Sequence, residues 1–400
     1  MRILLLLTLV LIIFFLFSCN SKESKTEKAS TAPVYDLAKT AKFATYNVAM
    51  FRDRPGQLKR DLASGRDSQI QNVAAVIQNV RPDILVLCEF DYDPSRQLLD
   101  LFEENYLAKS QHGEKAIRYP YRLAFPSNTG VLSPADFDGD GAIKLPNDAY
   151  GYGQYEGQYA FAILSKYPID DENLLSYQNQ LWSEIPEAKV PLKENGTPYY
   201  DKKSWDVFRI SSKNHVVIPI RMPAGKIIHT VIAHPTPPVF DGPEDRNGLR
   251  NYDEIKLLKD IVNNESYLRS DQGKRGGLHD GASFVVMGDL NADPIDGDSA
   301  PGAISQLLDD PKINQTISNG DLIPKSKGGE IYNRREGDKA DPAFDTAFFG
   351  SRIDYVLPSN NLTATDTGVF WPAKGEALYD IVKNKKASDH LLVWATVELE

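Results

Sequence analysis

The strongest constraint on the fold is a set of short apolar runs, each closed by an acid, an amide or an imidazole. Ile84-Leu85-Val86-Leu87-Cys88 stops at Glu89, Ile227–Ala233 stops at His234, and Phe284–Met287 delivers Gly288-Asp289. Phe43–Val48 holds Asn47, Ile353–Leu357 carries Asp354, and Leu391–Val397 follows His390. Runs of this length, rich in Val, Ile and Leu, are expected as strands buried on both faces. Helical spacing appears between them. Ile70, Val73, Ala74, Val76 and Ile77 fall on one face of Ser68–Val80, which Pro82 ends, and Tyr252–Val262 is amphipathic. Tyr159–Leu164 reads as a further strand, and Asp206–Ile210 with Val216–Arg221 as a hairpin pair. Helices and strands mixed along the whole chain imply one α/β domain built on packed sheets. The polar stretches Asp91–Gln158, Asp170–Trp205 and Asp309–Phe349 are expected as excursions from it.

Strand ends are where a rigid scaffold offers side chains to a cleft. Taken singly, each end residue has a structural use. Asn47 could turn the chain, Glu89 could be solvated, and Asp289 and Asn291 could form an Asx-turn before Pro294. Asp354 could pair Arg352, and His234 and His390 could be satisfied core histidines. Six motifs that all sit at strand boundaries make a shared site the better reading.

At Gly288-Asp289-Leu290-Asn291 with Pro294, joined to a late Ser388-Asp389-His390, the sequence resembles the endonuclease/exonuclease/phosphatase superfamily of deoxyribonuclease-I-like proteins. Ala162-Ile163-Leu164-Ser165 with Tyr167-Pro168-Ile169 is similar to that superfamily's central strand. The resemblance spans about residues 43–400 and implies a four-layer α/β/β/α sandwich of two packed mixed sheets. It also implies a metal-dependent phosphoric ester hydrolase. An anionic phosphoester repels hydroxide, so its hydrolysis needs its charge neutralised and a nucleophile held in place. A hard cation supplies the first through oxygen ligands. The resemblance makes Glu89 the principal ligand, with Asn47 and Asp389 assisting directly or through water, for Mg²⁺, Mn²⁺ or Ca²⁺. It has Asp289 orient or deprotonate the attacking water, and Asn291 contact phosphate or support the metal. His390, oriented by Asp354, would donate to a phosphoryl oxygen, and His234 would be a second phosphate contact.

Other signals concern the loops. Asp136, Asp138 and Asp140 occupy positions 1, 3 and 5 of a calcium-type loop with Gly141 at position 6, although Asn147 stands where the bidentate Glu belongs. The segment is a candidate structural Ca²⁺ site or an acidic turn. Asp148–Tyr159 interleaves tyrosines with glycines, as a stacking wall or as a packed cover. Arg246 and Arg250 are candidates to clamp phosphate or to pair with Glu244, Asp245 or Glu254.

The chain opens with Arg2 and an apolar run from Ile3 to Phe17, short for a spanning helix and suited to a secretory signal. Leu16-Phe17-Ser18-Cys19 resembles a bacterial lipobox, which would cleave residues 1–18 and leave Cys19 lipidated. Residues 19–42 read as a flexible tether, and 43–400 as the catalytic domain. This reading expects export, with a membrane contact through the lipid, facing the periplasm or the cell surface. Cys88, the one other cysteine, reads as a small buried hydrophobe. A net charge of −10 argues against a broad nucleic-acid groove, yet not against a nuclease that meets phosphate at a metal. A secreted nuclease and a non-catalytic ligand-binding lipoprotein are the alternatives, and no motif names a protein partner.

Overall fold

A computed structural model describes residues 38–400; the expected signal segment, Cys19 and the expected tether up to residue 37 lie outside the described residues. Eleven strands occur among them: β1 (Thr40–Met50), β2 (Ile84–Phe90), β3 (Tyr121–Phe125), β4 (Phe161–Ser165), β5 (Leu175–Ser176), β6 (His215–Arg221), β7 (Ile227–Ala233), β8 (Phe284–Asp289), β9 (Asp354–Pro358), β10 (Ala364–Val369) and β11 (Val393–Glu398). They form two mixed sheets, one in the order β10-β11-β1-β2-β4-β3 and the other β5-β6-β7-β8-β9. β1 and β2 are parallel, as are β7 and β8, and the remaining neighbours are antiparallel.

A parallel pair needs a long crossover, and in both sheets the crossover contains helix. Gln57–Ser64 and Ser68–Val80 join β1 to β2, and Arg246–Val262 joins β7 to β8. Ser68–Val80 begins where the Asp67 carboxylate accepts the Ile70 N–H at 3.0 Å, and stops at Arg81, in the left-handed region (φ 56°) before Pro82. β1 and β2 face β8, and β1 and β11 face β9. Phe43, Tyr46, Phe161 and Tyr355 are among the largest fully buried side chains. Removing one such ring from water contributes roughly 1.5–3 kcal/mol. Cys88 is a free buried thiol, as expected.

Several expected boundaries are corrected. β1 begins at Thr40, so residues 40–42 of the anticipated tether belong to the sheet, paired with Glu398, Val397 and Thr396. Asp206–Ile210 is no strand. Its one ladder-type contact is the Leu181–Arg209 bridge, while Phe208 packs against Phe137, Trp182 and Tyr200. Val216–Arg221 pairs with β5 and β7 instead. The polar stretches are not wholly excursions, since they supply the edge strands β3 and β5. β10 occupies a segment with no apolar run to announce it.

The topology brings one set of strand ends together. The C-terminal ends of the parallel pairs β1/β2 and β7/β8 lie on the same edge as the start of β9, where Asp354 is registered opposite Asp289. β11 runs antiparallel to β1, which puts its start on that edge too. Gly288 permits the final approach. A Cβ built there would lie 1.9 Å from the Ala233 carbonyl oxygen. Gly288→Ala is expected to destabilise the fold by ~1–3 kcal/mol, because the clash is with backbone and not with a movable side chain. Urea unfolding measures it, and a loss under ~0.5 kcal/mol would contradict the close packing.

Candidate active site

Asp289, at the end of β8, is the hub of this edge and is 1% exposed. Its Oδ2 accepts the Asn47 side-chain N–H at 3.0 Å and lies 3.5 Å from His234 Nε2 and 3.7 Å from His390 Nε2. Its Oδ1 accepts the Asn291 backbone N–H at 3.0 Å, so the Asx-turn and the shared site coexist. Asn291 sits at φ 52° and donates its side-chain N–H to Pro235 O at 3.1 Å. Left-handed backbone at a non-glycine residue is costly and clusters at functional sites.

His390 precedes β11, and its Nδ1–H donates to Asp354 Oδ2 at 2.9 Å. Burial alone would discharge this imidazole, but Asp354 and Asp289 outweigh it and raise its pKa to about 10. At neutral pH it is therefore a cation between carboxylates. Burial pushes Asp354 up to about 6, which leaves it ionised at pH 7. Asp354 does not pair Arg352, whose guanidinium donates to the Ile317 and Ser318 carbonyls. His234 is the opposite case. Burial, then the nearby charges of Lys213 and His390, hold it well below the usual histidine range, so it is neutral. Its Nδ1 is buried without a hydrogen-bond partner.

Glu89, next to last in β2, sits at φ 57°, and Ala49 in the adjoining β1 sits at φ 45°, where the pairing of the two strands slips. This irregularity turns Glu89 toward the hub. Burial raises the Glu89 carboxyl to about 7, with His390, the Asn47 amide and Lys213 opposing the rise and Asp289 adding to it. The Asn47 oxygen meanwhile accepts the Ala49 N–H at 3.1 Å. Asp389 is exposed at the rim, where its charge raises both Tyr46 and His390. All eight expected site residues thus gather at one edge. Within it, Asp289, Asp354 and His390 each offer one ligand atom, all within 4.8 Å of one another, and could touch a common ion. The 2.9 Å hydrogen bond between His390 Nδ1 and Asp354 Oδ2 also suits that pair to holding a proton. Glu89, Asn47 and Asp389 offer oxygen donors, and a partly buried carboxylate at a strand end is the ligand type a hard divalent cation requires. The residues fit such an ion.

Some residues that support this edge were not foreseen. Lys213 is 7% exposed, donates to Pro235 O at 3.3 Å, and is depressed by burial while Glu254, Glu89 and Asp289 oppose the shift. Its local sequence, Ser211-Ser212-Lys213-Asn214, reads as a turn and carries no signal of a buried cation. Thr346 Oγ1 donates to Asp354 Oδ2 at 2.9 Å and accepts the Ile353 and Asp354 N–H groups at 3.0 Å each. On the helix Arg246–Val262, Glu254 accepts the Ser212 and Thr236 N–H groups at 2.7 and 2.6 Å, and Asn251 donates to the Thr236 and Leu290 carbonyls. These contacts fix the loops that follow β7 and β8.

The loop candidates resolve differently. Arg250 donates to the carbonyls of Tyr150, Arg209 and Ile210, and Arg246 pairs with Glu244, so neither is free to clamp phosphate. In the acidic loop, Asp136 accepts the Gly139, Asp140 and Gly141 N–H groups, Asp138 accepts from Asn147, and Asp140 turns to Lys144. The trio able to meet an ion is therefore Asp136, Asp138 and Asp148, not Asp136, Asp138 and Asp140. Asp148 itself accepts the Phe137 and Lys144 N–H groups. Of the tyrosines in Asp148–Tyr159, Tyr150 lies under the Arg209 guanidinium, Tyr155 donates to Asp91 and Arg52 O, and Tyr159 packs on Phe51. Tyr152 alone stands out, 60% exposed.

A model of the Endonuclease/Exonuclease/phosphatase family matches residues 44–390. No curated protein matches by sequence. Solved structures of similar fold include an endonuclease/exonuclease/phosphatase from Beutenbergia cavernae, at 16% identity over 90% of this chain and 72% of that one, with a TM-score of 0.49. A family protein from Leptotrichia buccalis is 15% identical over 90% of this chain and 100% of its own, with a TM-score of 0.46. Staphylococcus aureus beta toxin with bound magnesium ions is 16% identical over 89% and 98%, with a TM-score of 0.44.

Proposed function

The chain belongs to the endonuclease/exonuclease/phosphatase family, and from that membership we propose a metal-dependent hydrolase of a phosphodiester or phosphomonoester, and from the N-terminal sequence its export and lipid anchoring. The family comprises metal-dependent phosphodiesterases and nucleases. The observation that carries the reading is the surround of Asp289, where one buried carboxylate touches an amide, a neutral imidazole and a protonated imidazole. Such a carboxylate orients a water and accepts its proton. Once bound by Glu89, Asn47 and Asp389, a divalent cation would neutralise phosphoryl charge. His390 donates Nε2–H toward a phosphoryl oxygen, with Asp354 and Thr346 holding the ring. His234, being neutral, offers a hydrogen bond without repelling the cation, and Asn291 offers its amide beside it. No covalent enzyme intermediate is needed. Export and the lipid at Cys19 rest on sequence alone. No helix of the described residues is long and apolar enough to cross a membrane.

Release from a chromogenic diester, a chromogenic monoester and plasmid DNA with Mg²⁺, Mn²⁺ and Ca²⁺ tests the proposal. Chelation is expected to remove the activity and added metal to restore it. Glu89→Gln is expected to weaken metal affinity by about 10–100-fold, read by calorimetry. DNA cleavage exceeding diester turnover would favour the nuclease reading. Silence on every ester with every metal would sink both and leave a ligand-binding lipoprotein.

A further inference from the structure

His229 and His279 meet at the end of the second sheet remote from the catalytic edge. β7 carries His229 near its start and delivers His234 just past its other end, about 16 Å further along the strand. His279 comes from the loop 263–283, between the helix Arg246–Val262 and β8. The two ring centroids are 5.8 Å apart, with their planes at 83°. Both rings border a cavity of about 330 Å³ that Leu175, Val217 and Leu278 also line. Each ring is anchored through one nitrogen. His229 Nδ1 lies 3.3 Å from Ser283 O, which also accepts the His229 backbone N–H at 2.9 Å. His279 Nδ1 lies 3.0 Å from Asp280 O. A carbonyl oxygen only accepts, so Nδ1 carries the proton in both rings, and in the neutral imidazole Nε2 keeps a bare lone pair. Burial holds His229 below the usual histidine value, so it is neutral at pH 7.

We propose that His229 and His279 bind a divalent ion of the Zn²⁺ type through Nε2, with water completing its shell, and so tie the loop 263–283 to β7. An Nδ1–H fixed on a backbone carbonyl is the arrangement that orients a metal-ligating histidine. The spacing fits as well. A nitrogen bound about 2.0 Å from an ion puts its ring centre roughly 3.2 Å away, so two rings on one tetrahedral ion stand about 5–6 Å apart. The carboxylates nearby are engaged elsewhere: Asp170 accepts from Arg221 and Asn173, and Asp280 pairs with Lys312. The donors are therefore imidazole nitrogens, which suit Zn²⁺ and its neighbours in the transition series. Mg²⁺ and Ca²⁺ want oxygen, so the ion here differs in kind from the one Glu89 would hold.

The test titrates Zn²⁺ by calorimetry into the full chain held in saturating Mg²⁺. His279→Ala, a change at an exposed loop residue, is expected to weaken Zn²⁺ binding by at least about tenfold, and His229→Gln to do the same. Glu89→Gln should keep this Zn²⁺ affinity within about threefold of wild type, because the two sites share no residue. Trypsin reads the tie between loop and strand, since Lys274 and Arg275 are exposed in the loop. With free Zn²⁺ at about ten times its Kd, cleavage after them should slow about tenfold in wild type, only the unbound fraction being cut. In His279→Ala the same Zn²⁺ should leave cleavage unchanged. Should His229→Gln fail to fold, His279→Ala decides alone. Zn²⁺ affinity unaltered in His279→Ala, Zn²⁺ binding lost only in Glu89→Gln, no binding to wild type, or cleavage that Zn²⁺ does not slow would overturn the proposal. None of these readings depends on an ester being hydrolysed.

Discussion

Asp289→Asn is expected to lower kcat/KM for the chromogenic diester by about 10³-fold or more, with metal affinity kept within about threefold of wild type. The substitution keeps the size of the side chain and removes its charge. An amide oxygen can still accept the Asn291 N–H now bound at 3.0 Å, so the turn should persist. What goes is the base, and with it the attraction that helps keep His390 charged. The contrast with Glu89→Gln makes the prediction sharp. If Asp289 orients and deprotonates water while Glu89 holds metal, the first variant loses rate and the second loses affinity. A rate within about tenfold of wild type for Asp289→Asn would remove Asp289 from the chemistry. A large loss of metal affinity in the same variant would move it into the ligand set.

Membership of this edge was readable in the sequence because the residues concerned end long apolar strands. Glu89, His234 and Asp289 follow runs that are buried on both faces, and a polar residue there has nowhere to go but a cleft. The fold was legible for the same reason at β2, β7 and β8. It was illegible at β3 and β10, where one face meets solvent and the burial alternates or breaks, so no apolar run marks the strand. Asp206–Ile210 misled in the opposite sense. Val207, Phe208 and Ile210 look like a strand, yet Phe208 is drawn into an aromatic cluster with Phe137, Trp182 and Tyr200 while its backbone stays in a loop. Lys213 and Thr346 could not have been found, because each acts through partners distant along the chain or across a turn, and neither lies in a run with a period. Ligand assignment within the cluster was less legible than membership in it. Strand ends say which residues arrive at the edge, whereas their hydrogen bonds decide which of them hold protons.

His390→Ala is expected to lower kcat/KM by about 10²–10³-fold, the cost of removing a charged donor aimed at a phosphoryl oxygen. Rate alone would not separate donation from mere support, and the pH dependence of stability does. In chelator, the groups facing His390 are Asp354 on β9, Asp289 on β8, Glu89 on β2, His234 after β7, and Asp389 beside it in the chain. The carboxylates outnumber the cations, so the folded protein binds the His390 proton far more tightly than an unfolded histidine near 6.5 does. A pKa raised on folding contributes stability that is complete below the unfolded value and lost as pH climbs toward the folded one, here about 10. Wild type should therefore lose roughly 4 kcal/mol between pH 6.5 and 10 relative to His390→Gln, measured as the difference in urea unfolding at each pH. Asp354→Asn should shrink that difference, since it removes the closest carboxylate and the largest of the causes that raise the value against burial. Parallel stability curves for wild type and His390→Gln across this range would mean that the imidazole is neutral in the fold. It would then bring no charge to the phosphate, and the assignment of His390 as the charged donor would have to be abandoned.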